Sequence, residues 1–150
     1  MLIIPFLILS LSGCMEKSKT YEIGSLIFQL PEGYVEISRK KDKINSHIPD
    51  QPPTIEHVIS FQNTAGRNVY LFFWQGFPWR DYGPMVKNRS YPVKVAKQET
   101  VMIQTKQFMG TDQEVLVVHC KLNEDERLMI YTTDMEPDEF RKFLNIFNQN

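Results

Sequence analysis

Apolar and polar residues alternate along most of the chain after residue 20, which is the pattern of half-buried β-strands. Clusters of Gly, Pro, Asn and Asp separate the alternating runs and predict turns. The predicted strands are Tyr21–Leu30, Tyr34–Ile37, Ile55–Gln62, Val69–Trp74, Tyr91–Ala96, Thr100–Phe108, Val115–Leu122 and Arg127–Thr132. The pattern therefore predicts seven or eight short strands.

Three of these segments carry more specific predictions. The first two strands are expected to form a β-hairpin, because Pro31-Glu32-Gly33 between them supplies turn residues. Residues 38–53 are polar and contain three prolines, so we expect an exposed loop there. The run Val69–Trp74 is apolar on both faces and is predicted to be the most buried strand, covered on both sides.

The C-terminal segment changes from a strand period to a helix period. Asp134 and Pro137 are start signals, and Asp138 and Glu139 place negative charge in the first turn, where the helix dipole favours it. The apolar stripe that follows at i, i+3, i+4 and i+7 consists of Phe140, Phe143, Leu144 and Phe147. The predicted fold class is α+β, an antiparallel sheet of about seven strands with this helix packed on one face.

The two ends of the predicted domain resemble the Mog1/PsbP-like proteins. The resemblance is carried by Phe28-Gln-Leu-Pro-Glu-Gly-Tyr34 and by the closing strand and helix that end in Glu139-Phe-Arg-Lys-Phe-Leu144. It covers about the first fifteen and last thirty residues of the domain, and the middle of the chain shows no helical pattern where that family has a helix. The resemblance implies a fold and no function.

An apolar run, Leu2–Leu11, precedes the sequence Leu11-Ser12-Gly13-Cys14. This arrangement resembles the lipobox of bacterial lipoproteins, which implies that residues 1–13 are a signal peptide and that Cys14 carries a diacylglycerol. Residues 14–20 would then be the lipidated N-terminus and a short tether, and residues 21–150 a single domain. A transmembrane anchor needs about 20 apolar residues, more than this run provides. A buried first strand is the other alternative.

The same resemblance carries an expectation about location. Met15 stands where an aspartate retains Gram-negative lipoproteins in the inner membrane, so we expect the outer membrane, facing the periplasm. No Lys or Arg precedes Cys14. Either the α-amino group of Met1 supplies the positive charge that such signals carry, or translation starts upstream.

Charge and cysteine content restrict the function further. With 17 basic and 18 acidic residues the net charge is −1, which implies no nucleic-acid partner. Lipidation of Cys14 would leave Cys120 alone, so no intramolecular disulfide is expected. Cys120 lies in an apolar strand pattern and is predicted to be a buried small hydrophobe, with a catalytic thiol as the alternative.

The chain shows no motif for catalysis, metal binding or a cofactor. Nucleophile elbows, phosphate-binding glycine loops, Cys-x-x-Cys and His-Glu-x-x-His are all missing from the sequence. The three histidines, His47, His57 and His119, have none of the short spacings of a metal site. We therefore expect a protein that is not an enzyme and that uses no cofactor.

The stretch Phe77–Pro84 is the best candidate for recognition. Phe77, Trp79, Arg80 and Tyr82 are concentrated there, and Pro78, Gly83 and Pro84 prevent regular structure. Trp, Tyr and Arg dominate binding hot spots, so a partner-binding loop is predicted. The alternative is that these rings close one end of the core.

The basic cluster of Arg39, Lys40, Lys41 and Lys43 has two interpretations. It is a solvated loop, or it contacts anionic lipid head groups near the anchor.

Two function classes follow. The first is a membrane-tethered, non-catalytic lipoprotein that binds a protein partner, as an accessory of an envelope complex or as an immunity or inhibitor protein. The alternative is a lipoprotein that binds a small molecule or a lipid between sheet and helix. A hydrolase with dispersed catalytic residues has the least support.

Overall fold

A computed structural model of the protein describes residues 18–76, 89–106, 108–110 and 112–149. Its elements are β1 Thr20–Ile23, β2 Leu26–Gln29, β3 Tyr34–Ile44, β4 Thr54–Asn63, β5 Asn68–Gln75, β6 Arg89–Val95, β7 Gln98–Thr105, β8 Val115–Lys121, β9 Glu126–Thr132, the helix α1 Pro137–Leu144 and a 3₁₀ turn Asn145–Asn148. The fold class is α+β, as predicted.

Seven of the strands form one antiparallel sheet in the order β3-β4-β5-β9-β8-β7-β6, and β1 and β2 form a separate two-stranded sheet. The last strand in the chain, β9, therefore lies in the middle, paired with β5 on one side and β8 on the other. Since each half of the sheet ends on a flank of β9, the sheet is complete only when this strand has docked.

The helix and the 3₁₀ turn cover one face of the sheet, as the apolar stripe predicts. Pro137 occupies the first turn of α1, and Phe140, Phe143, Leu144 and Phe147 are all buried. The Phe143 ring lies 5.1 Å from Tyr34 and 6.1 Å from Phe61, measured between ring centroids. Within the described residues, no helix is long and apolar enough to cross a bilayer.

The first hairpin differs from its prediction. The chain reverses at Gly24-Ser25, so that β1 pairs with β2, whereas β3 pairs with β4 in the large sheet. Gly24 has a φ of +55°, a left-handed conformation that a two-residue hairpin turn needs and that glycine adopts without strain. The apolar alternation continues through this turn, and for that reason the two short strands resemble one long strand in the sequence.

The predicted loop at residues 38–53 is also partly wrong, because β3 continues to Ile44. The strand lies at one edge of the sheet, where a single neighbour supplies its hydrogen bonds and charged side chains stay in water. A register shift between Glu36 and Ser38 marks a β-bulge at the start of the charged part. Residues 45–53 contain no strand or helix, as predicted.

Strand β5 is not the most buried strand. It buries four of eight residues, whereas β8 and β9 bury five of seven each. The reason is position, since the central β9 and its neighbour β8 are covered along more of their length. The prediction that β5 carries apolar side chains on both faces is confirmed, because Leu71 and Phe73 belong to the core under the helix while Trp74 belongs to a second cluster.

Candidate binding surface

The residues predicted to carry function lie outside the described residues. These are the lipidation site Cys14 and the loop residues Phe77, Trp79, Arg80 and Tyr82. The described chain leads to that loop through Gly76, whose backbone N–H donates to the carbonyl oxygen of Asp125 at 3.0 Å. The lipidation and the binding loop therefore stay predictions.

An array of aromatic rings covers the sheet face opposite the helix, here called the outer face. Tyr70, Phe72 and Trp74 alternate with the core residues of β5 and so share this face. Tyr70 stacks on Tyr131 of β9 with ring centroids 4.8 Å apart, Tyr131 lies 6.0 Å from Phe72, and Phe72 lies 5.6 Å from Trp74. The four rings form a continuous strip across the two central strands.

The strip rests on a packed floor. Val117 and Met129 are fully buried beneath it, and Phe108 packs against Tyr131 at 4.9 Å. The indole Nε1–H of Trp74 donates to the Glu56 carboxylate at 2.5 Å. Because neighbours fix these rings, the half-buried residues Tyr70, Phe72 and Tyr131 present a preorganised apolar surface with phenol groups.

The electrostatics of this strip favour neutral recognition. Burial raises the pKa of the Tyr131 phenol, and nearby Tyr70 raises it further, so the group stays protonated at physiological pH. Neutral aromatic surface with hydroxyl donors is typical of the buried centre of protein interfaces. The strip lacks the charge separation that acid–base chemistry requires.

Cys120 and the histidines near it do not form a nucleophilic site. Cys120 is buried, as predicted, and burial raises the pKa of its thiol, so the reactive thiolate is disfavoured. Burial and the positive charges of Lys41 and Arg39 lower the pKa of His57, which packs edge-on against Phe73. No group of three His, Cys, Asp or Glu residues among the described ones has the arrangement of a metal site.

A charged cluster joins the small sheet to the edge strand β3. The Glu36 carboxylate accepts from Arg39 at 2.7 and 2.9 Å, from the Tyr21 hydroxyl at 2.8 Å and from Lys19 at 3.1 Å. Arg39 chiefly lowers the pKa of Glu36, to about 2, while burial followed by Glu36 raises that of Tyr21 to about 12. These groups stabilise one another in a fixed network, so we assign the cluster a structural role.

A second carboxylate, Glu126, joins the two turns at the opposite end of the small sheet. It is buried, and it accepts from the backbone N–H of Ser25 at 2.9 Å, from the Ser25 hydroxyl at 3.1 Å and from the Asn123 amide at 3.0 Å. All these donors come from turn residues. The carboxylate therefore holds the β1–β2 turn against the β8–β9 turn.

Packed side chains fill the space between the sheet and the helix, where the alternative function would place a ligand. Phe28 lies at the centre, 4.9 Å from Phe147 and 6.1 Å from Phe61. A cleft of about 280 Å³ opens beside it, between Ser25–Ile27 and the turn at Ala96–Gln98. This volume lies just below the range of about 300 to 1,000 Å³ that small-molecule sites usually have.

Comparison of the chain with protein-family models, with curated proteins and with solved structures gives no match in any of the three.

The aromatic strip is a feature that sequence analysis missed. Its signal is present in the sequence, because aromatic residues at positions 70, 72 and 74 must share one face of a strand. Tyr131 has no such signal, since it joins the strip only through the pairing of β5 with β9.

Proposed function

We propose that the protein is a membrane-tethered, non-catalytic lipoprotein that faces the periplasm and binds a protein partner through its outer face. The tethering rests on the apolar run and the Leu-Ser-Gly-Cys14 sequence. The partner is a component of an envelope complex, or a toxin or hydrolase that the protein neutralises.

The aromatic strip is the observation that carries the binding proposal. It places Tyr70, Phe72 and Tyr131 half-exposed on a rigid floor, and β5, which carries two of these rings, leads directly into the predicted loop at Phe77. Aromatic anchors that neighbours already hold in place lose little conformational entropy when a partner docks. The strip and the loop would therefore act as one aromatic surface.

Partner recovery from detergent-solubilised envelope tests this proposal. We expect Tyr70→Ala combined with Tyr131→Ala to lower recovery tenfold or more, as hot-spot residues of about 2 kcal/mol each imply. Trp79→Ala combined with Tyr82→Ala should do the same. Tyr91→Ala is the matched control, because Tyr91 is half-buried on β6 and its hydroxyl donates to Gln104 at 3.0 Å.

Thermal unfolding separates a binding role from a packing role. If the two double variants melt much earlier than wild type and still recover the partner normally, the aromatic surface belongs to the core and the binding proposal is wrong. Metabolic labelling with a fatty acid tests the anchor independently. Wild-type protein should take up label and Cys14→Ser should not.

A further inference from the structure

The edge strand β3 combines two kinds of exposed side chain. Its exposed cations are Arg39, Lys40, Lys41 and Lys43. Among the described residues, seven large hydrophobic side chains are exposed, and four of them belong to β3 or to the loop just after it. These four are Val35, Ile37, Ile44 and Ile48.

The charge of this edge is only partly neutralised. Lys19 and Arg39 share the single carboxylate of Glu36, and Lys40 pairs with Asp42 at 2.7 Å. Lys41 and Lys43 make no ion pair within the described part of the chain. Together Lys19 and β3 hold five basic and two acidic side chains, a net charge of +3.

The same edge lies beside the start of the folded domain. The 3.1 Å ion pair between Lys19 and Glu36 holds the chain against β3. Five residues separate Lys19 from Cys14, which reach about 18 Å when fully extended. The other edge strand, β6, lies six strand spacings away, or about 30 Å.

We infer that β3 docks on the anionic phospholipid head groups of the membrane that holds the Cys14 lipid, and so orients the domain. This inference rests on the proposed lipidation. Lys41 and Lys43 attract the head groups, and the exposed aliphatic side chains enter the interface between head groups and acyl chains. The outer face is then left accessible to a protein partner.

Two other occupants explain this edge less well. A second copy of the chain, paired antiparallel through β3, would bring its lysines close to those of the first copy, and like charges that face each other across strands repel. Lysines on an edge strand also protect against aggregation, but that role does not explain four exposed aliphatic side chains among them.

Fluorophores at two matched positions test the orientation. Ile44→Cys lies on β3 and Val101→Cys on β7, where the native side chains are 45% and 43% exposed. The mature lipidated chain carries no other accessible thiol among its described residues, because Cys120 is buried. Each labelled protein is reconstituted in vesicles of phosphatidylcholine, alone or mixed with phosphatidylglycerol, and quenched with acrylamide.

We expect the label at position 44 to be shielded from acrylamide in the anionic vesicles and the label at 101 to stay accessible. Lys41→Glu with Lys43→Glu should lower the docked fraction about 25-fold or more, since each basic side chain near an anionic surface contributes about fivefold. Lys94→Glu with Lys97→Glu, at the other edge, should leave it unchanged.

The outcomes separate this inference from the proposed function. If the protein floats with the vesicles and both labels are equally accessible, the docking of β3 is wrong and the anchor stands. If it floats with no vesicle, the lipid anchor fails and the inference fails with it. Shielding at position 44 in native envelope fragments but in no vesicle also overturns membrane docking, in favour of an acidic protein.

Discussion

Glu36 shows how a single carboxylate can fasten a small sheet to a large one. Its donors come from the residue before β1, from β1 itself and from β3, so the hairpin cannot move away from the edge strand without breaking several charge-assisted hydrogen bonds. Lys19 and Arg39 also lie 4.9 and 5.3 Å from the Tyr21 ring centroid. The cluster therefore combines ion pairing with contacts between cations and an aromatic ring.

The first prediction concerns the pH dependence of stability. The pKa of Glu36 falls from 4.5 to about 2 on folding, so its contribution is present above about pH 4.5 and is lost as the pH falls toward 2. Because Lys19 and Arg39 are largely exposed, solvent screening reduces this contribution to about 1 to 2 kcal/mol. Urea unfolding of wild type and Glu36→Gln across this pH range measures it.

The variant should be less stable at neutral pH and should lose part of the acid dependence. Glu22→Gln is the matched control, because Glu22 is exposed on the same hairpin, and it should stay within about 0.5 kcal/mol of wild type. Equal acid dependence in wild type and Glu36→Gln would mean that the cluster does not stabilise the fold.

The second prediction concerns Gly24. A Cβ atom there would lie 2.6 Å from Cζ of Phe73 and against the Glu126 carboxylate, in a left-handed backbone conformation. Gly66 has a φ of +78° with nothing within 4 Å, so Gly66→Ala isolates the backbone cost, about 1 to 2 kcal/mol. Gly24→Ala should lose about 1 to 3 kcal/mol more, because packing is also disturbed.

The midpoint of chemical unfolding measures both alanine variants. A Gly24→Ala protein as stable as Gly66→Ala would show that Phe73 and Glu126 yield to the added methyl group. The contact between the two turns would then be looser than these distances imply.

At the scale of elements, the helix and its 3₁₀ extension act as one cover for the sheet. The Asn148 side chain ties the extension to the far edge, since its amide donates to the Lys94 carbonyl at 2.7 Å and its oxygen accepts from the Lys97 N–H at 3.0 Å. At the other end of α1, Glu139 accepts from Asn63 at 3.1 Å and pairs with Arg67. The cover is therefore fastened at both ends.

The third prediction is that a chain comprising residues 15–136 does not fold. Losing Phe140, Phe143, Leu144 and Phe147 removes about 1.5 to 3 kcal/mol for each buried side chain, which rivals the 5 to 15 kcal/mol net stability of a typical domain. A chain ending at Asn148 is the control and should melt like wild type, because it keeps both attachments. Calorimetry that shows cooperative melting of the shorter chain would contradict this arrangement.

At the scale of the whole molecule, the position of β9 links folding to the candidate binding surface. Pairing of β9 with β5 brings Tyr131 beside Tyr70, and pairing with β8 places Val117 beneath them. These contacts join distant parts of the chain, which slows folding because long loops must close first. The aromatic strip consequently exists only in the completed sheet.

Periodicity along the chain determined the class of fold, the closing helix, its four buried residues and the strands from β4 onward. These features follow from which face a residue occupies, and spacings of two or about 3.6 residues encode that locally. The reversal at Gly24 and the extent of β3 were not evident, because alternation continues through a tight turn and an edge strand needs no apolar pattern. Tertiary structure alone decided which strands are neighbours, that Tyr131 meets Tyr70, and that β3 is an edge. Strand pairing depends on hydrogen bonds between residues far apart in the chain, and the apolar pattern of one strand specifies its face but not its partner.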